Sequence, residues 1–215
     1  MTNKERIRLI IGAVINIAIF AMAVYCLVIF IGYIIRGNED IRFRYYTNIS
    51  NLFVGFVALP NAFFLTYSAI KGKLIDPKVL SIIKFAGLSM IALTFFTVIF
   101  ILVPLTSFIY MYQDIRFITH FLAPVLAMGS YLFFEEKDIF NWKISLFGVV
   151  PTIIYAIVYT INVIVLTRWP DLYQINKQGI WYVYVIIEVI FGFGLTQGLY
   201  FIKKLANKMK FVASD

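Results

Sequence analysis

The sequence predicts an all-α fold, a polytopic membrane bundle of six transmembrane helices that takes in residues 1–215 as one domain. Three observations predict it. First, 62% of the 215 residues are hydrophobic and only 14% are charged, against about 45–50% and about 25% in an average soluble domain. Second, the excess sits in six blocks nearly free of charge, most of them as long as the roughly 20 residues needed to cross a hydrocarbon layer. Third, the blocks run unbroken. Backbone in lipid must satisfy its own hydrogen bonds in helices or closed barrels, and barrel strands would alternate over about 10 residues with polar turns between.

The first block, 9–35, follows Lys4, Arg6 and Arg8 and contains Ala21-Met22-Ala23, which resembles a cleavage site. Its apolar run extends well past a signal core of about 7–15 residues. An uncleaved first helix is expected, long enough to tilt or protrude. The second block is 46–70 and the third 79–103. The fourth, 117–134, is the shortest and just long enough to cross. The fifth is 144–167 and the sixth 180–202. Short polar stretches separate them, and none is long enough for a soluble domain.

Lysine and arginine set the expected orientation. One side of the six-span layout carries thirteen of them: Lys4, Arg6, Arg8, Lys71, Lys73, Lys78, Lys84, Lys137, Lys143, Lys203, Lys204, Lys208 and Lys210. The other side carries six: Arg36, Arg42, Arg44, Arg116, Arg168 and Lys177. Both termini are therefore expected in the cytoplasm. Trp142 on one side and Trp169 and Trp181 on the other fit aromatic belts. The residue usage, rich in Ile, Phe and Lys, points to a bacterial plasma membrane. The net charge of +8 is explained by these flanking residues, so nucleic acid is not expected as a partner; the lipid bilayer is. The basic tail from Lys203 to Lys210 serves as a topology anchor or as a contact for anionic headgroups. Cys26 is the only cysteine, which excludes an internal disulfide; it reads as a buried, inert thiol. One histidine with scattered acids does not make a metal site, and no cofactor is expected. No feature of the sequence sets an oligomeric state.

Function is sought where polar groups enter the apolar blocks, because such groups are costly in lipid. Two segments stand out. Arg42-Phe43-Arg44-Tyr45-Tyr46-Thr47-Asn48-Ile49-Ser50-Asn51 opens the second span, and Arg116-Phe117-Ile118-Thr119-His120-Phe121-Leu122-Ala123-Pro124 opens the fourth. Both enter the membrane from the same side. At about 1.5 Å per residue, Thr47 and His120 each lie roughly 5–6 Å below an arginine, at similar depth. Thr47, Ser50 and Asn51 share a helix face. Pro124 has no N–H and frees the carbonyl of His120, four residues earlier.

Two readings fit this pattern. Thr47 is a helix cap and His120 an interhelical hydrogen-bonding residue, or His120 is a general base toward the Thr47 hydroxyl. In the second reading Asn51, or backbone amides at the start of the second helix, would hold the oxyanion. Glu188, about 12 Å into the sixth span, is the other anomaly. It would orient His120, act as a protonated hydrogen-bond partner, or bind a cation, with Asn16, Asn61 and Asn162 as candidate partners. Gly192, Gly194 and Gly198 read as a close-packing face.

Tyr46-Thr47 followed by Ser50-Asn51 resembles the tyrosine/phenylalanine-threonine-x-x-serine-asparagine opening of the androgen-induced-protein-like transmembrane hydrolases, in their small bacterial branch. His120-x-x-x-Pro124-Val125-Leu126 resembles the histidine motif of the same family. The resemblance implies a multi-span helical fold and an intramembrane threonine hydrolase acting on a lipid substrate. The animal members cleave fatty acid esters of hydroxy fatty acids. It would place the nucleophile on Thr47 and the histidine on His120. Two other functions stay open: a proton- or cation-coupled transporter or channel that uses Glu188, and a non-catalytic membrane lipid-binding protein.

Overall fold

The computed structural model describes residues 1–37, 43–135 and 141–212, with side chains as far as residue 208. Arg42 and Lys137, and the side chain of Lys210, lie outside the described residues. Every regular element among the described residues is helical. Six helices are long and apolar enough to cross a membrane: α1 (Asn3–Ile35), α2 (Tyr46–Lys71), α3 (Lys78–Leu105), α4 (Ile115–Phe134), α5 (Trp142–Val165) and α6 (Trp181–Val212). They correspond one to one with the six apolar blocks. Val28, Phe63, Ile70, Phe100, Phe133 and Ile190 are exposed, as a lipid-facing belt requires. The protein is an integral membrane protein. The termini share one face of the bundle; the opposite face is called the far face.

Local chemistry fixes the helix ends. Thr2 Oγ1 accepts the Glu5 amide at 3.2 Å while the Glu5 carboxylate accepts the Thr2 amide at 2.6 Å. This reciprocal capping box starts α1. At the same end of the α1–α2 hairpin, beside Arg6, α2 stops at Gly72, whose φ of +66° is the left-handed cap that glycine adopts without a Cβ penalty.

Helices in lipid gain little from hydrophobic contact with one another, so small residues that allow close approach organise the packing. At Gly55 a Cβ would lie 2.0 Å from that of Ala23, which seats α2 directly on α1. At Gly148 a Cβ would lie 2.7 Å from Ser89 Oγ and 2.7 Å from Thr196, where α5 meets α3 and α6. The expected glycine face of α6 is corrected by the same geometry. Gly192 has ordinary contacts with Leu93 and Thr152, but Gly194 and Gly198 face open space.

α3 is the axis of the bundle. Its residues Lys84 to Thr94 are buried without interruption, and it packs on α2, α4, α5 and α6. α1 lies against α2 and α4, and α2 touches α4 directly. That last contact joins the two polar helix openings.

Several turns of these helices are widened. In α3 the Val103 amide bonds the carbonyl of Val98, five residues back, and in α4 Ala123 does the same to Ile118. These two wide turns come directly before a proline, Pro104 or Pro124, whereas those at Ser130–Phe134 and Ile161–Val165 do not. The proline ring would collide with the carbonyl four residues earlier, and the extra residue in the turn relieves this. The turn disturbed by Pro124 therefore takes the form of a π turn, a feature frequent at functional sites. His120 is its central residue.

Candidate functional site between α2 and α4

Asn51 joins the two openings. Its Nδ2 donates to the carbonyl of Thr47 at 2.7 Å and to the carbonyl of Thr119 at 2.9 Å. Two oxygens in range of one nitrogen are no more than about 6 Å apart. Thr119 immediately precedes His120, so the backbone carrying Thr47 and the backbone carrying His120 meet at this amide. Ser50 fastens the same turn to α3. Its Oγ lies 2.9 Å from the Thr47 carbonyl and 2.9 Å from Thr94 Oγ1. Ser50 and Asn51 thus reach α3 and α4 with their side chains, and Thr47 takes part through its backbone carbonyl.

Thr47 is half-buried and does not cap its helix. Tyr45 occupies the cap position without any side-chain bond, and the Tyr46 amide is satisfied at 2.8 Å by the phenol of Tyr173. Among the described residues the Thr47 hydroxyl makes no hydrogen bond. The capping explanation for this threonine therefore falls away.

His120 is 9% exposed. Its Nδ1 lies 2.9 Å from the carbonyl of Met111, in the short helix Phe108–Tyr112 between α3 and α4. A carbonyl oxygen only accepts, so Nδ1 carries the proton and Nε2 of the neutral ring is the acceptor. The orienting group is thus this carbonyl and not Glu188. Arg116, one turn above, stacks on Tyr110 with its guanidinium 4.0 Å from the ring centre.

The expected oxyanion role of Asn51 is also revised. Both its N–H groups are engaged by carbonyls, and the amide of Tyr46 is engaged by Tyr173. Asn51 binds the scaffold through its donor end, and its oxygen is the end left over.

Glu188 stands apart from this pair. Gly192, one turn further along α6, touches Thr152, which places Glu188 opposite the next turn of α5, where Tyr155 projects. Its carboxyl group lies within electrostatic range of the Tyr173 phenol. Tyr46 and Thr152 share a hydrogen bond of 2.6 Å, and Tyr155 donates to the carbonyl of Arg44 at 2.7 Å. Burial, reinforced by the Glu188 charge against the hydrogen bonds of Tyr155 and Tyr46, pushes the Tyr173 phenol up to about 12. Two of the candidate partners of Glu188 are engaged elsewhere, and the third, Asn61, makes no side-chain hydrogen bond among the described residues. Asn16 belongs to a different cluster and Asn162 bonds the carbonyl of Val158.

That different cluster is a second polar centre, which the sequence reading missed. Lys84 Nζ contacts Glu135 Oε1 and Asn16 Oδ1, each at 2.5 Å. Asn16 Nδ2 reaches Ser130 Oγ and Glu135 Oε1, each at 3.0 Å. Lys203 donates to the carbonyls of Tyr131 and Glu135, each at 2.6 Å, closing the negative end of α4. Lys84 and Lys203, counted among the orientation-setting residues, are 3% and 1% exposed. A signal was present: a lysine inside an apolar block needs an acid, and Glu135 ends a span on the same face. Among the described residues no group of three metal-ligating side chains occurs.

Comparison with protein-family models, with curated proteins and with solved structures yields no match.

Proposed function

We propose that the protein is an intramembrane lipid ester hydrolase with Thr47 as nucleophile and His120 as base. The observation that carries the reading is the Asn51 amide held between the Thr47 and Thr119 carbonyls. It supports the pairing of two helix openings that the sequence singled out independently. His120 Nε2, left as the acceptor by the Met111 contact, takes the Thr47 proton as Oγ1 attacks the ester carbonyl carbon. The same proton passes to the departing alkoxide, leaving an acyl-threonine for water to release. The site lies at the far-face ends of α2 and α4, suited to a lipid whose ester lies just below the headgroups.

The proposed setting is a bacterial plasma membrane with both termini in the cytoplasm. The buried positions of Lys84 and Lys203 remove two residues from the thirteen on that side, and the remaining eleven still outnumber six.

The test is turnover of lipid and p-nitrophenyl esters by the purified protein in detergent. Thr47→Ala is expected to abolish turnover, and His120→Ala to lower it about 10²–10⁴-fold. Glu188→Gln should leave it within a few-fold. Equal turnover in all four proteins would sink the reading. Cation or proton flux in liposomes that is lost only in Glu188→Gln would establish the transporter instead.

A further inference from the structure

The Asn51 side chain is 5% exposed, and its Oδ1 is a buried acceptor with no hydrogen-bond partner among the described residues. The orientation of the amide is fixed by chemistry. Its two neighbours are carbonyls, so nitrogen must face them and oxygen must point the other way. Both amide atoms hang on one carbon, by bonds of roughly 1.2 and 1.3 Å. Oδ1 therefore stays within roughly 5 Å of the Thr47 and Thr119 carbonyls, inside the junction of the two openings. A buried acceptor left unmade costs about 1–3 kcal/mol, so this position favours a ligand atom that bears a proton.

We propose that Asn51 Oδ1 binds the O–H of the hydrolytic water during release of the acyl group. The inference rests on the hydrolase reading and assigns its second half-reaction. The water keeps one O–H hydrogen-bonded to Oδ1 and turns its oxygen toward the acyl carbon of acyl-Thr47. As that oxygen bonds to carbon, the other proton passes to His120 Nε2. The bond from carbon to Thr47 Oγ1 then breaks, the proton returns to Oγ1, and the carboxylic acid leaves. Asn51 is assigned opposite tasks at its two ends: the nitrogen holds α2 to α4, and the oxygen holds water.

The experiment follows p-nitrophenyl decanoate in wild type and Asn51→Ala, with acid quench and intact mass. Wild type is expected to turn over with little adduct. Asn51→Ala should release a burst of nitrophenol and retain acyl-Thr47, deacylating about 10²-fold more slowly, the scale of loss from misplacing a reactant. Equal losses in acylation and deacylation would assign Asn51 a purely structural role and overturn the proposal. Unchanged deacylation would overturn it as well. If Oδ1 instead holds a substrate hydroxyl, the variant slows acylation by hydroxylated esters and spares deacylation, which also contradicts the water assignment. Because the variant gives up the interhelical bond to Thr119 and the bond to Thr47 within α2, a second measurement uses wild type alone. The structure of wild type phosphonylated on Thr47 should show a water within hydrogen-bond distance of Oδ1, and any other partner there overturns the inference. Failure of wild type to acylate at Thr47 is a separate result; it removes the hydrolase reading itself.

Discussion

Lys84 was placed by its sequence among the residues that set orientation, yet its ammonium ends inside the bundle against Glu135 and Asn16. A pair of buried charges costs desolvation and regains it through mutual attraction, while one charge alone regains nothing. Lys84→Met is therefore expected to destabilise the protein by about 3–5 kcal/mol, and the double variant Lys84→Met with Glu135→Leu to recover most of that loss. Thermal unfolding in detergent measures both. A double variant no more stable than the single one would show that the carboxylate is not what Lys84 serves. The same scale explains which site residues were legible. Thr47, Ser50 and Asn51 were grouped by helical spacing, a local property. The partners of His120 and Asn16 depend on other segments, and each was missed: the Met111 carbonyl for His120 and Glu135 for Asn16.

At the level of helices, the six spans were legible because each is long, apolar and bounded by charge. Most boundaries shift by no more than two residues between expectation and structure, but α1 begins at Asn3 and α6 runs on to Val212. The π turns were half-legible: Pro124 announced a disturbed turn, but the added residue depends on how the backbone accommodates the ring. Glycines were the least legible, since a small residue on a helix looks alike whether it meets a neighbour or lipid. Gly55 and Gly194 make that difference testable. Gly55→Ala should cost about 1–3 kcal/mol through its collision with Ala23, the range for overpacking. Gly194→Ala should stabilise by up to about 1 kcal/mol through helix propensity. Unfolding midpoints that move together would contradict the α1–α2 contact described above.

For the whole molecule, topology and chemistry are linked. An even number of spans puts the openings of α2 and α4 on one face, and the contact between these helices brings them together. Orientation gives the site its side of the membrane. With both termini in the cytoplasm, a cysteine at position 2 or 208 in a Cys26→Ser background should resist impermeant thiol reagents in intact cells and react after lysis. Labelling of intact cells would place the site on the cytoplasmic side.

The claim that Thr47 is the nucleophile is tested most directly by locating the covalent adduct. Wild-type protein would be treated with a fluorophosphonate, digested and sequenced by mass spectrometry. The account predicts a single phosphonylated residue, Thr47, with labelling lost in Thr47→Ala and strongly slowed in His120→Ala. An unlabelled protein, or an adduct on another residue that persists in Thr47→Ala, would contradict it.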